Sequence, residues 1–310
     1  MIIFMFMIVF SPFTAIIPAL YAVNLIYNKK LKIEKNYLNV GLFLLFVWSL
    51  ISGVVNKSVL STIASIGIFL YLCVSILFQN YFIKESRITI VLKYLVYLTN
   101  LAAFAGVMEK ITFCFITIPN HRIASTFGNP NMAGSWFASI ILVIIYLKSI
   151  EKKREKIKIY NYSLILILIA LLLTESSGAL IALVGSLGIY YLLRKDRSFK
   201  KMLSLVLFVS VIAVVFMIIQ SKLTSVTPIG ELKASFSSRY DIWLGSLQMF
   251  SQKPILGWGV LGTLEHGVNF MYRNGNSIHS HNIWLSFLVS GGITALLIYL
   301  YIKWNLFKDM

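Results

Sequence analysis

Acidic side chains are scarce in this chain. Its 310 residues include 11 Asp and Glu against 28 Lys and Arg, and charged residues make up only 13% of it. Soluble domains of this length carry far more charge, and here 58% of residues are hydrophobic and the mean hydropathy is +0.83. That composition belongs to a bilayer. Cysteine is equally sparse: Cys73 and Cys114 both fall in or beside apolar runs, so no disulfide framework, Cys-x-x-Cys site or thiol nucleophile is indicated. Both read as core residues. The outward acids Glu109, Glu175, Glu231, Asp241 and Glu265 are scattered, with no Asp-x-Asp and no close carboxylate pair. This argues against a sugar-nucleotide enzyme using a divalent metal and against a two-carboxylate hydrolase. Gly-x-Ser-x-Gly, the phosphate-binding P-loop and His-Glu-x-x-His are absent too.

What is abundant is long apolar sequence. About 20 apolar residues cross about 30 Å of hydrocarbon, and nine segments qualify, at 2–26, 37–55, 59–79, 88–108, 131–148, 159–174, 178–193, 202–220 and 282–302. The first holds Pro12 and Pro18, which predicts a kink or break, and it lacks the basic flank and cleavage site of a signal peptide. The net charge of +17 would suggest nucleic acid in a soluble protein. Here the cations sit in alternate short connections: Lys29 to Lys35, Lys84 and Arg87, Lys148 to Lys158, Arg194 to Lys201, then Lys303 and Lys308. Such alternation is a topology signal, so no nucleic-acid partner is expected. It places the N-terminus outside and the C-terminus inside.

The outward connections are then 56–58, 109–130, 175–177 and a long 221–281 loop. Within that loop, Ser238 to Ser251 reads as an amphipathic helix, opened by capping-box spacing between Ser238 and Asp241. Tyr240, Trp243, Leu244 and Leu247 share one face, which suits a helix lying flat on the membrane surface with Arg239 near its start. Lys253-Pro254 ends it, and Gly257-Trp258-Gly259 follows as a tight turn.

Four outward features could carry chemistry, and each has a plainer reading. Asn129-Pro130 is a good cap for the fifth span, and Arg122 lies nearby with Asn131. Free N–H groups at that helix start would suit a phosphate; by local pattern alone an ordinary capped helix with a snorkelling arginine is the favoured reading. Glu175-Ser-Ser-Gly joins two spans that look short, so its carboxylate is either recessed and functional or part of a solvated hairpin turn. Arg239 offers a planar fork for phosphate oxygens; it could also meet lipid headgroups or Asp241. His279-Ser280-His281-Asn282 opens the ninth span, where an imidazole could act as a general base or merely cap a helix. Zinc at His-x-His would need a third ligand such as Glu265 or His266, and none is assigned.

Taken in order, four blocks resemble the O-antigen ligase and polymerase (Wzy-C) superfamily. They are Arg122-Ile-Ala-Ser-Thr-Phe-Gly128-Asn129-Pro130-Asn131-Met-Ala and Leu173-Thr-Glu175-Ser-Ser-Gly-Ala, then Ser238-Arg239 with Trp243 and Lys253-Pro-Ile-Leu-Gly-Trp-Gly, then His279-Ser-His281-Asn282-Ile-Trp-Leu with Gly291-Gly-Ile. The resemblance covers roughly 120–302 of a single polytopic domain. The family often has Ser-Arg-Gly where this chain has Ser176-Ser177-Gly178. The resemblance implies an all-α integral membrane protein of GT-C architecture in the bacterial cytoplasmic membrane. It also implies inverting glycosyl transfer, without metal or cofactor, from a polyprenyl-diphosphate-linked glycan to a glycan or lipid-glycan acceptor. Polysaccharide-assembly proteins are the implied further partners. By position, Arg122 and Arg239 would bind the diphosphate and His281 would deprotonate the acceptor, with His279, Asn129, Asn131, Glu175 and Asn282 in support. The readings from other classes are a multi-span transporter or flippase and a non-catalytic component of an export complex.

Overall fold

In the computed structural model, the described residues are 4, 7, 16–83, 85–115, 121–193, 228–271 and 279–308. Among them every regular element is helical. We number the α-helices α1 (Ile16–Tyr27), α2 (Tyr37–Val55), α3 (Val59–Tyr81), α4 (Glu85–Phe115), α5 (Pro130–Ile150), α6 (Arg154–Leu173), α7 (Ser177–Leu193), α8 (Pro228–Gln252), α9 (Gly262–His266) and α10 (Ile283–Lys308). Six of these, α2 to α6 and α10, are long and apolar enough to cross a membrane, while α1 and Ser177–Tyr190 of α7 are shorter apolar helices. Large apolar side chains such as Phe43, Ile51, Leu60 and Ile63 lie exposed on α2 and α3, as lipid-facing surfaces require. Of the nine expected spans, 202–220 and most of the first lie outside the described residues.

Two differences from the sequence reading have simple causes. The sixth span is not short: α6 begins at Arg154, because Arg, Glu and Lys are good helix formers and carry the helix beyond its apolar run. The helix expected over Ser238 to Ser251 begins ten residues earlier, at Pro228. Proline is pre-organised for the first helical position, so Ser238 lies in the helix interior and is no cap.

The chain forms two compact units, one holding α4 to α7 and the other α1 to α3 with α8 to α10. In the first, α5 is the central helix. Ala133, Phe137, Ile140, Ile141, Ile144 and Leu147 are buried at helical spacing, and α4, α6 and α7 pack against it. Helix association in lipid depends on close packing and polar bonds. Trp136 Nε1 donates to Thr99 Oγ1 at 3.0 Å, and Asn100 Nδ2 donates to Ser163 Oγ at 2.8 Å. Gly134 lets the 174–176 turn approach α5, since a Cβ there would lie 2.7 Å from the Ser176 Cβ.

In the second unit, α2 and α3 form a tight hairpin. Asn36 caps α2 through the Asn39 N–H at 2.9 Å, and Ser58 Oγ caps α3 through the Ser61 N–H at 2.9 Å. The opposite end is held by amides: Asn36 and Asn39 both donate to Gln79 Oε1, and Gln79 donates back to Asn39. Cys73 is buried here, as expected of a core residue; the Cys114 side chain is outside the described set. α10 packs along α2.

Candidate active site

The candidate residues divide between the units. Arg122, Asn129, Asn131 and Glu175 belong to the first, and Arg239, His279, His281 and Asn282 to the second.

In the first unit, the strand-like segment before α5 is bound to the end of α6, where the Ile123 N–H donates to the Leu173 carbonyl at 3.2 Å. Arg122 follows that line: Nε donates to the Thr174 carbonyl at 3.0 Å and Nη2 to Asn131 Oδ1 at 2.9 Å. Nη1 has no partner among the described residues, so part of the guanidinium is available to a ligand. Asn129 caps α5 as expected, taking the Asn131 and Met132 N–H groups on its side-chain oxygen. Its carbonyl takes the Ala133 N–H, and Pro130 has none. The free N–H groups expected at this helix start are therefore all satisfied, leaving Arg122 and the helix dipole to attract an anion.

Glu175 follows the C-cap of α6 in the left-handed region, at φ 54°. Its carboxylate is nearly buried and pairs with Lys110 Nζ at 3.6 Å. A buried, paired carboxylate replaces the solvated turn that the residue pattern also allowed. Three residues were not weighed from sequence. Lys110 Nζ donates to the His121 carbonyl at 2.6 Å. Glu109 receives the Ser125 N–H at 2.7 Å and the Ala124 N–H at 3.2 Å, and its contact with His121 Nε2 is 2.6 Å. They fix the loop that carries Arg122. Only tertiary contact from the far end of α4 reveals them; no local spacing does.

In the second unit, α8 buries Ile242, Gly245, Ser246 and Met249 and leaves Tyr240, Leu244 and Leu247 exposed. Trp243 departs from the expected shared face, because it packs with Trp258 and Phe270 around Met249 and Val289. Arg239 is half-buried and makes no hydrogen bond or ion pair among the described residues, Asp241 included.

His281 stands at the start of α10, but it does not cap that helix. Asn282 does, accepting the Trp284 N–H at 2.9 Å and the Leu285 N–H at 3.4 Å. His281 itself sits at φ 48°, a conformation that costs a non-glycine residue about 1–2 kcal/mol. The residue as a whole is exposed but its imidazole is partly desolvated, and the ring lacks a hydrogen-bond partner among the described residues. Burial, then the neighbouring charge of His279, then that of Arg239 pull its pKa below the usual histidine value. The charges of His279 and Arg239 thus both act on His281. Between the two histidines, the Ser280 hydroxyl is fully buried with no hydrogen-bond partner among the described residues.

What holds this arrangement is a lock between two of the sequence blocks. α10 is broken at Gly291 and Gly292, where φ and ψ leave the helical region. The segment from Lys253 to Gly259 fills the break. Trp258 N–H donates to the Val289 carbonyl at 2.8 Å, Gly259 N–H to Ser290 at 2.9 Å, and Ile293 N–H returns to Pro254 at 2.8 Å. Carbonyls freed by the break thereby keep partners. Trp48 Nε1 donates to the Gly291 carbonyl at 2.7 Å, and Ser52 Oγ donates to the Leu256 carbonyl at 2.6 Å. Lys253 lies 3.9 Å over the Trp258 ring and donates to Asn56 Oδ1 at 2.5 Å. Glu265, offered above as a third zinc ligand, instead accepts from Ser58 at 2.6 and 2.8 Å. No group of three candidate metal ligands occurs among the described residues.

Six helices long and apolar enough to cross a membrane indicate a multi-pass membrane protein, with His281 just before the start of one of them, α10. Residues 162–300, a little under half of the chain, match the family model described as O-Antigen ligase (Wzy_C), so this segment is similar to that family. The matched segment includes Glu175, Arg239, His279, His281 and Asn282, while Arg122, Asn129 and Asn131 precede it. No curated protein and no solved structure matches the chain.

Proposed function

We propose that the chain transfers a glycan from a polyprenyl diphosphate to an acceptor hydroxyl, with inversion and without metal, at the extracytoplasmic face of the bacterial cytoplasmic membrane. His281 takes the proton as the acceptor oxygen attacks the anomeric carbon. The bond from that carbon to the diphosphate oxygen breaks, and the diphosphate leaves with the electron pair. Arg239 stabilises the charge that develops there, and Arg122 is assigned the same ligand from its block. Glu175, Asn129 and Asn131 position Arg122 and its loop, Asn282 sets the first turn of α10, and His279 shapes the charge around His281. The acceptor is a glycan or lipid-linked glycan, so the family's ligase and polymerase activities both fit.

One observation carries the reading. Among the described residues neither the Arg239 guanidinium nor the His281 imidazole has a hydrogen-bond partner, and the Arg239 charge helps lower the pKa of the imidazole, which favours its neutral, proton-accepting form. The test must separate chemistry from backbone strain. Asparagine tolerates the left-handed region, so His281→Asn removes the base while keeping the turn. In a deletion strain, wild-type protein restores full-length or ligated polysaccharide; His281→Asn, present at equal level, should give none. Full product from this variant would remove the enzymatic reading in favour of a non-catalytic component.

A further inference from the structure

We infer that a groove beside the 28–36 connection binds an anionic diacyl phospholipid, its phosphate at the lysines of that connection and one acyl chain between α2 and α3. The groove has a volume of about 320 Å³. Val40 and Phe43 of α2 line it, with Phe69, Leu72 and Ile76 of α3. From Phe69 to Ile76 it runs roughly 10 Å at 1.5 Å per residue. Both helices are of membrane-spanning length, so the groove lies at hydrocarbon depth. Val40 and Phe43 are exposed, so a chain already dissolved in the bilayer can enter from the side.

Lysines close one end of the groove. Lys35 is part of its wall, and Lys29 and Lys30 lie between two other wall residues, Ile26 and Ile33. The connection that carries them is fixed at several points. The Lys32 N–H donates to Asn80 Oδ1 at 2.9 Å, Asn80 Nδ2 donates to the Lys32 carbonyl at 2.8 Å, and Asn39 Nδ2 donates to the Glu34 carbonyl at 2.8 Å. At the end of α1, the Lys29 N–H donates to Ile26 and the Lys30 N–H to Leu25, both at 2.9 Å. That turn puts Lys29 at φ 55°, where glycine is the usual residue. Glu34 is the one acid of the connection, and it pairs with Lys32 at 3.1 Å. Lys29, Lys30 and Lys35 make no ion pair or side-chain hydrogen bond among the described residues. Three ammonium groups at the groove's mouth are thus left for a ligand.

This charge selects the occupant. Phosphatidylglycerol brings a phosphate and no cation, whereas phosphatidylethanolamine would set its own ammonium against the lysines. A soluble anion could meet the lysines but would leave the apolar groove unused. The polyprenyl donor reacts elsewhere. Gly41, next to the groove residue Val40, meets Ile302, which stands up to roughly 30 Å along α10 from His281. The inference therefore stands apart from the proposed reaction.

The experiment titrates phosphatidylglycerol into the full chain in detergent and counts bound lipid by native mass spectrometry. Lys29→Gln with Lys35→Gln removes two charges at the mouth. Lys303→Gln with Lys308→Gln, on α10 and outside the groove, removes two others as the control. The first pair should weaken the affinity for phosphatidylglycerol about tenfold, and the control pair less than about twofold. Val40→Trp, which fills the groove from an exposed position, should also cost about tenfold, the effect of roughly two displaced methylenes. Phosphatidylethanolamine should bind wild type about tenfold more weakly than phosphatidylglycerol does. Equal losses in the two lysine pairs would reduce the effect to general attraction between a basic protein and an acidic lipid, and overturn the inference. Equal binding of the two phospholipids would overturn it as well, and so would tighter binding of polyprenyl phosphate, which would make the groove a carrier site. All four lysines are exposed, so their replacement leaves the fold intact and the lysine comparison stands even where Val40→Trp fails to fold.

Discussion

At the scale of single residues, charge and backbone conformation act on the same side chains. His281 must be neutral to accept a proton, so product formation should fall on the acid side as pH drops through its lowered pKa. Arg239 contributes to that lowering, after burial and His279. Removing the charge with Arg239→Gln should therefore raise the His281 pKa, moving its titration to higher pH. NMR of the imidazole nitrogens, resolved by replacing His279 in a parallel sample, reads this without needing activity. An unmoved titration would show that the guanidinium does not reach the ring. Glu175 poses the complementary problem, since its φ of 54° favours glycine while its carboxylate pairs with nearly buried Lys110. Glu175→Ala should be less stable than Glu175→Gly by about 1–2 kcal/mol, the left-handed cost of a Cβ. Both leave the Lys110 ammonium without its carboxylate, so adding Lys110→Met to Glu175→Gly should recover stability. Thermal unfolding in detergent across this cycle checks both statements.

At the scale of elements, the lock between Lys253–Gly259 and the break in α10 joins two glycine-bearing blocks, at Gly257 and Gly291, that are far apart in this sequence. Gly292 has φ 67°, and a Cβ on it would lie 2.1 Å from the Ile255 carbonyl oxygen, with backbone on both sides of the clash. Gly292→Ala should cost at least about 2–3 kcal/mol and lower activity with it, through displacement of the α10 start. Gly185→Ala on α7 is the control: nothing lies within 4 Å of its Cβ position, so the change should be neutral or stabilising by up to about 1 kcal/mol. A Gly292→Ala protein as stable as the control would dissolve the lock. The turn at Gly257-Trp258-Gly259 and the cap at Asn129 were readable, because each is local chemistry written in adjacent residues. What filled the turn was not readable. Its partners, Val289 and Ser290, are set by tertiary approach, as are Lys110 and Glu109 beneath Arg122. The start of α8 was misplaced for a different reason: a capping pattern at Ser238 is a local preference, and a helix already running from Pro228 overrides it.

At the scale of the whole chain, apolar length located the spans well, with 37–55 matching α2 residue for residue and 282–302 falling within α10 but for one residue. Length says nothing of direction, so orientation rests on the alternation of basic connections. It assigns Lys57 and the 174–176 turn to the outer side, and Lys29 and Lys153 to the inner. These positions suit cysteine labelling: Lys57 and Lys29 both sit in turns at positive φ, and Lys153 is an exposed residue just before α6 whose side chain makes no capping bond. In a background lacking Cys73 and Cys114, a membrane-impermeant maleimide should label Lys57→Cys on intact spheroplasts. Lys29→Cys and Lys153→Cys should react only after the membrane is opened. Labelling of Lys153→Cys on closed cells together with protection of Lys57→Cys would reverse the orientation. His281 would then face the cytoplasm, where carrier-linked glycans are built, and polymer assembly on the outer surface would have to be assigned to another protein.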